Sequence, residues 1–219
     1  QDVFLLKTPF SFDASVWEIF IPFFVGAKLV IAPDDAHTNP DTLIKLIQHK
    51  QVSIIQLVPS MLRELILTSK FNECSSLRHV FCGGEVLLQE IIHSFMENNC
   101  FGALLHNLYG PTETTIDAIT LTCCADDVVS IVSRIGKPIY NTKLLVLDKH
   151  MQLMPIGIIG ELYIAGDCLA KGYLHNPNMT AQKFLSNPFD FEKKNKIYKT
   201  GDLVKWQNDG IIEYHGRID

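Results

Sequence analysis

Long apolar runs, clustered positive charge and regular cysteine spacing are all scarce in this chain of 219 residues. The most apolar stretch, Val16 to Val25, is broken by Glu18 and Pro22 and is too short to cross a bilayer. The N-terminus shows no basic-then-apolar targeting pattern, so no membrane partner and a cytoplasmic location are expected. Net charge is −5, and Lys and Arg are scattered apart from Lys193-Lys194-Asn195-Lys196, which reads as a solvated loop. That distribution argues against a nucleic-acid surface. The six cysteines (Cys74, Cys82, Cys100, Cys123, Cys124, Cys168) form no Cys-x-x-Cys pair, which predicts reduced, mostly buried thiols rather than disulfides or zinc ligands. His79, His93 and His106 lie on or beside apolar runs without Cys/His spacing and read as structural. His37, His49, His150, His175 and His215 read as loop or surface positions, and Asp34-Asp35 and Asp126-Asp127 as solvated turns. A Gly-x-x-x-x-Gly-Lys phosphate loop is also missing.

What is present suits a globular protein with a sizeable core: apolar residues make up 47% of the chain and no low-complexity tract interrupts them. Helix-like segments near 15–25, 39–50, 59–69 and 87–98 separate the apolar runs Lys28-Leu-Val-Ile-Ala, Val52-Ser-Ile-Ile-Gln-Leu, Leu77-Arg-His-Val-Phe and Leu104-Leu105. This rhythm predicts an α/β fold with a parallel-sheet, layered region. Asn39-Pro40 reads as a cap followed by proline at the first helical position. Beyond about residue 130 short strands alternate with Gly/Pro turns, including Asn208-Asp-Gly210, as in a small β-barrel-like subdomain. The expected division is therefore 1–129, α/β, and 130–219, β-rich.

Four blocks carry chemistry. Asn107-Leu-Tyr-Gly-Pro-Thr-Glu113-Thr-Thr-Ile-Asp117 packs an aromatic, a turn, a hydroxyl and a carboxylate into one loop, although Thr112 and Glu113 also suit a capped helix start. Tyr198-Lys-Thr-Gly-Asp202-Leu sets a carboxylate where it can accept two hydrogen bonds from a sugar diol. Gly216-Arg217-Ile-Asp219 places a cation beside a glycine, within reach of a ribose hydroxyl or a phosphate. Gly160-Glu-Leu-Tyr-Ile-Ala-Gly166 reads as a strand bounded by glycines. In this order, and preceded by Phe12-Asp-Ala-Ser-Val-Trp17-Glu and Gly83-Gly84-Glu85, the blocks resemble the adenylate-forming (AMP-binding) superfamily, specifically the adenylation domains of nonribosomal peptide synthetases.

That resemblance implies a carboxylate attacking the α-phosphate of ATP, then transfer of the acyl group to a phosphopantetheine thiol on a neighbouring carrier domain, with condensation domains as further partners. It implies that Tyr109 stacks on adenine, with Asn107, Gly110 and the Gly83-Gly84-Glu85 turn around it. Thr112 would contact the α-phosphate, Glu113 would bind Mg²⁺, Asp202 would take the ribose diol with support from Arg217, and Asp219 would be the hinge of a C-terminal lid. In the amino-acid pocket, Asp13 would hold the substrate ammonium, unless it merely caps the helix beginning near Ser15. The matching pocket walls are Ala14, Trp17, Gln56, Phe81, Gly83, Leu108, Ile116 and Asp117.

Trp17 and Phe81 give broad apolar walls, Gly83 leaves room, and Gln56 and Asp117 are the two polar groups within, unless both face away from any ligand. A primary amide satisfies both polar groups, so glutamine is the expected substrate, a choice that the resemblance also implies. Glutamate would set a like charge against Asp117, while ornithine or lysine would use Asp117 but gain less from Gln56. The family's Gly/Ser/Thr-rich phosphate loop and its lid lysine have no counterpart here, which suggests an internal piece of a longer domain with weak or no turnover alone, and exposed apolar surface. An acyl-CoA ligase of the same superfamily and a non-catalytic nucleotide-binding module are the alternatives.

Overall fold

The structure, a computed structural model, describes all residues except 34, 35, 37, 38, 125, 126, 128–131, 191–194 and 219. The expected turns at Asp34-Asp35 and Asp126, the lysines at 193–194, His37 and the Asp219 hinge lie outside the described residues. Two compact units emerge, Gln1–Asn107 with Thr122–Ile131, and Leu108–Leu121 with Val132–Asp219.

The first unit realises the α/β rhythm. β1 (Val3–Leu6), α1 (Ala14–Val25), β2 (Lys28–Ile31), α2 (Pro40–Lys50), β3 (Ile54–Leu57), α3 (Pro59–Leu67), β4 (His79–Cys82), α4 (Gln89–Asn98) and β5 (Leu104–Tyr109) follow in turn. The strands pair in parallel in the order β2-β1-β3-β4-β5. Alternation splits the sheet into two faces. Val3, Leu5, Ile55, Leu57, Val80, Cys82 and Leu105 face one core, which Leu43, Ile47, Leu62, Leu65, Ile91 and Phe95 of α2, α3 and α4 fill. On the other face Phe4 and Phe81 meet Trp17 of α1. Asn39 caps α2 as expected, its side chain accepting from the Thr42 amide at 3.2 Å. The outer side of α1 leaves Phe20, Phe23 and Phe24 exposed, the apolar surface expected from the sequence.

The second unit is antiparallel. β6 (Ile119–Thr122), β7 (Arg134–Pro138), β8 (Thr142–Leu147), β9 (Gly160–Gly166), β10 (Phe184–Ser186), β11 (Lys196–Trp206) and β12 (Ile212–Arg217) accompany one short helix, α5 (Pro177–Lys183). Neighbours run β6-β7-β12-β11-β9-β8, and β10 pairs with β11. Ile135, Leu144, Val146, Leu162, Ile164, Val204 and Ile212 form its core.

Several polar expectations need correction. Only Cys74, Cys82 and Cys123 are buried, whereas Cys100 and Cys124 are exposed and Cys168 is intermediate; all six are free thiols. The Cys123/Cys124 split follows from their alternation off the end of β6. Asp127 is buried rather than solvated, because its carboxylate accepts from the Cys124 amide at 2.7 Å and closes a turn. His93 is an exposed side chain beside Glu97 at 3.2 Å on α4, not a core histidine. His215 lies within β12, half-buried and 3.5 Å from Glu213, rather than in a loop.

Candidate functional site

The sequence-predicted residues divide between the two units. In the first, Asp13 stands at the N-cap of α1, yet its side chain makes no capping hydrogen bond, and its Oδ2 is buried without a partner. The loop that presents it is tied down by Glu18, which is 1% exposed. Glu18 accepts from the Lys7 and Thr8 amides at 3.2 and 3.0 Å and from the Thr8 hydroxyl at 2.8 Å. Burial pushes the Glu18 carboxyl above its ordinary range, and burial pulls the Lys7 ammonium below its own.

Trp17 lies edge-on to Phe4 and Phe81, with ring centroids 6.4 and 5.4 Å away. Phe4 is on β1 and Phe81 on β4, so the indole spans the intervening β3, where Gln56 sits in register with Phe81. Gln56 is buried, and both its Oε1 and the Trp17 Nε1 are buried without hydrogen-bond partners. Phe81 is backed by His106, stacked at 4.6 Å, whose ring nitrogens meet His79 at 3.0 Å and the Thr122 hydroxyl at 3.0 Å. Burial, and then the neighbouring His79, pull the His106 pKa down to about 4, so the ring is neutral at ordinary pH. Ala14 is half-buried in the first turn of α1. Gly83 is buried and donates to the Leu57 carbonyl at 3.2 Å, and Gly84 follows in the left-handed region. The Glu85 carboxylate is occupied at the start of α3, accepting from the Ser60 amide and hydroxyl at 3.0 Å each. Asn107 is buried at the end of the same sheet.

In the second unit the loop after Tyr109 is tight. An added Cβ at Gly110 would lie 2.5 Å from the Ile116 carbonyl oxygen, so only glycine fits. Thr112–Thr114 is a single 3-10 turn without a side-chain cap, so Thr112 and Glu113 do not start an α-helix. Thr115 and Ile116 then adopt φ of 59° and 73°, a costly conformation for β-branched residues and one that clusters at functional sites. Leu108, Ile116 and Asp117 are half-buried. Thr112 is exposed, and the Glu113 carboxylate accepts from the Tyr173 hydroxyl.

The Tyr109 hydroxyl donates to Asp202 Oδ2, and Arg217 Nη1 donates to Asp202 Oδ1 at 3.2 Å. The Asp202 amide donates to Thr200 Oγ1 at 3.0 Å, which fixes the backbone that carries the carboxylate. Burial, then the Asp202 charge, push the Tyr109 phenol far above its ordinary value, which leaves the ring neutral. Three further tyrosines were given no role from the sequence. Tyr214 faces Tyr109 with ring centroids 6.5 Å apart, and period-2 alternation from buried Ile212 on β12 was the signal that could have found it. Tyr173 and Tyr198 converge on Glu113, a contact between distant segments that leaves no local signal.

Chemically, the second unit offers a neutral aromatic face beside a buried carboxylate and an arginine, which suits a base and a ribose diol. Among the described residues no three His, Cys, Asp or Glu side chains gather closely enough to hold a metal. A half-buried carboxylate such as Glu113 nevertheless fits Mg²⁺, which binds through one or two carboxylates plus substrate phosphates.

Known proteins share this pattern. A sequence model described as AMP-binding enzyme matches residues 1–174. Tyrocidine synthase 3 of Brevibacillus parabrevis is 45% identical over the whole chain, which covers 3% of that protein. Zwittermicin A synthase ZmaJ of Bacillus cereus is 42% identical, with all of this chain matched to 42% of that one. Enterobactin synthase component F of Escherichia coli (strain K12) is 38% identical, the chain covering 17% of its length. The crystal structure of CmiS6 superposes with a TM-score of 0.92 at 25% identity, over all of this chain and 53% of that one. The chain thus spans a small part of most curated relatives it matches. Its motif order, its fold and the family match over residues 1–174 agree, and the chain belongs to the AMP-binding enzymes.

Proposed function

We propose that this chain carries the core of an enzyme that activates glutamine as its adenylate. The observation that carries the reading is the set of three buried polar atoms without partners in the first unit: Asp13 Oδ2, Trp17 Nε1 and Gln56 Oε1. Buried polar groups are ordinarily hydrogen-bonded, and an orphaned anion, donor and acceptor together call for a ligand that supplies the complements. An α-ammonium satisfies Asp13. A side-chain carboxamide satisfies the other two, accepting from the indole N–H and donating to Gln56 Oε1. Glutamate lacks the second donor, and a fatty acid lacks the ammonium.

In the reaction, a substrate carboxylate oxygen attacks the α-phosphorus of ATP, the bond to the β-phosphate oxygen breaks, and pyrophosphate leaves. Such chemistry depends on positioning and charge stabilisation rather than a protein nucleophile. Tyr109 holds the adenine face while Asp202 exchanges contacts with Tyr109 and Arg217 for the ribose hydroxyls. Within the second unit Gly110 keeps the turn after Tyr109 tight and Thr112 meets the α-phosphate. Mg²⁺, held by Glu113, would offset charge on the phosphates. In the complete polypeptide a carrier domain's phosphopantetheine thiol then takes the aminoacyl group and AMP leaves, with condensation domains downstream. Among the described residues no helix is long and apolar enough to cross a membrane, and we place the reaction in the cytoplasm.

The test is amino-acid-dependent ATP–pyrophosphate exchange by the complete polypeptide, screened over the common amino acids. Exchange that peaks with glutamine and collapses in Asp13→Ala is the expected result. A peak with another amino acid overturns the pocket reading, and exchange with fatty or aromatic acids that ignores Asp13→Ala points to an acyl-CoA ligase.

A further inference from the structure

Glu113 sits on a weak platform. Its 3-10 turn is closed by two backbone bonds, from the Thr114 amide to Pro111 and from the Thr115 amide to Thr112, at 2.8 and 3.1 Å. A glutamate on so short a turn has three free side-chain torsions, and a ligand that swings pays entropy at each binding event. The structure supplies what the turn lacks. The Tyr173 hydroxyl donates to Glu113 Oε1, and the Tyr198 phenol borders the same pair, close enough for Glu113 and Tyr173 both to act on it.

The two phenols are themselves held. Phe184, 3% exposed, stands between them, with ring centroids 5.8 Å from Tyr173 and 5.1 Å from Tyr198. Tyr198 is part of β11 and is 4% exposed. The Tyr173 amide donates to Thr180 Oγ1 at 2.9 Å, which fixes it to α5. Gly172 makes that approach possible: its φ is +144°, and a Cβ there would lie 2.4 Å from the Thr180 methyl. Two further bonds tie the same segment to the turn, from the Ala170 amide to the Glu113 carbonyl at 2.8 Å and from the Thr115 hydroxyl to the Cys168 carbonyl at 2.7 Å. Two segments far along the chain from the turn thus meet at one carboxylate, whereas a carboxylate serving only the turn would need neither.

We propose that Tyr173 and Tyr198 are positioning residues that hold the Glu113 carboxylate, through Oε1, in the orientation in which it ligates the metal of the bound nucleotide. This rests on the reading of Glu113 as that ligand. Metal-ligating carboxylates are in turn hydrogen-bonded, and loss of such an outer partner typically weakens metal affinity about 10- to 100-fold. Both oxygens keep unused lone pairs, so the phenols orient the group without exhausting it.

The experiment counts free Mn²⁺ by electron paramagnetic resonance in the complete polypeptide saturated with a non-hydrolysable ATP analogue. It compares the wild type with Tyr173→Phe, Tyr198→Phe and Glu113→Gln, with thermal midpoints recorded for each. Tyr173→Phe keeps the ring against Phe184 and removes only the hydroxyl, so it should fold. The expected result is Mn²⁺ affinity lowered roughly 10- to 100-fold in both tyrosine variants, with the KM for glutamine unchanged and pyrophosphate exchange restored by raised metal. If Glu113→Gln weakens Mn²⁺ binding while the folded tyrosine variants bind as the wild type does, the positioning role is wrong and the Glu113 reading stands. If Glu113→Gln itself leaves Mn²⁺ binding unchanged, the Glu113 reading fails and takes the inference with it.

Discussion

Trp17→Phe separates a wall from a hydrogen-bond donor at one position. The substitution retains an aromatic ring toward Phe4 and Phe81, which lie 6.4 and 5.4 Å from the indole, and deletes the Nε1–H, a buried donor without a protein partner. Were the indole only an apolar wall, every substrate reaching that depth would respond alike to the smaller ring. As a donor to a carboxamide oxygen, its loss strands that oxygen in a buried site, a cost of about 1–3 kcal/mol. In kcat/KM this is roughly a 5- to 150-fold fall for glutamine. Methionine provides the internal control, since its side chain has similar length and no amide to strand. The assay is pyrophosphate exchange, with kcat/KM measured for glutamine and methionine on wild type and variant. The glutamine-to-methionine ratio should fall by the stated factor. An equal loss for both amino acids would refute the donor role and reduce Trp17 to packing.

Three further outcomes follow from burial and geometry. His106 is held neutral, with a folded pKa of about 4 against an ordinary 6.5, so the unfolded chain binds the extra proton across that interval. Stability should therefore be level above pH 6.5 and fall as pH drops from there toward 4, and in His106→Gln a urea-midpoint series should lose this slope. Phe71→Ala empties a site that is 1% exposed and packed by Phe95 and Phe101 at 6.0 and 5.6 Å, and it should lower unfolding free energy by about 3–5 kcal/mol in denaturant titrations. Gly110→Ala would force backbone apart at Ile116, Asp117 and Ala118, and it should lower both the thermal midpoint and ATP affinity; an unchanged midpoint would show that the loop is looser than its geometry.

Much of the fold was legible because it rests on local rules. Period and punctuation placed α1, α2, α3 and α4 within a few residues, and Asn39-Pro40 marked the start of α2 in the expected way. What the sequence withheld are pairings set by strand register and by chain segments far apart. That Gln56, Phe81 and His106 stand abreast depends on how β3, β4 and β5 align, and no window of sequence contains that alignment. The same holds for Tyr173 and Tyr198 at Glu113, 60 residues from the nearer of the two in the chain. Burial of polar groups was also misjudged where the group serves backbone amides. Asp127 looked like a solvated turn residue because an acidic pair is usually solvated, yet it is buried and its carboxylate accepts from the Cys124 amide at 2.7 Å.

Asp13 has two competing uses, helix cap and substrate contact. An aspartate immediately before a helix is the commonest sort of cap, and in position Asp13 is the cap of α1. A capping aspartate turns its carboxylate back onto the second or third amide of the helix. Asp13 does not: its backbone lies in the helical region, no first-turn amide donates to the side chain, and Oδ2 is buried without a partner. The helix start is secured instead by the Ser15 hydroxyl on the Phe12 carbonyl at 2.7 Å and by Glu18 gripping Lys7 and Thr8. With that work done by neighbours, the Asp13 carboxylate is not used by the helix, and its buried Oδ2 is left for a donor from outside the protein. In the proposed reaction the amino group of an amino acid is that donor, so Asp13→Ala is the substitution expected to abolish amino-acid activation, and exchange with amino acids that survives it would refute this role.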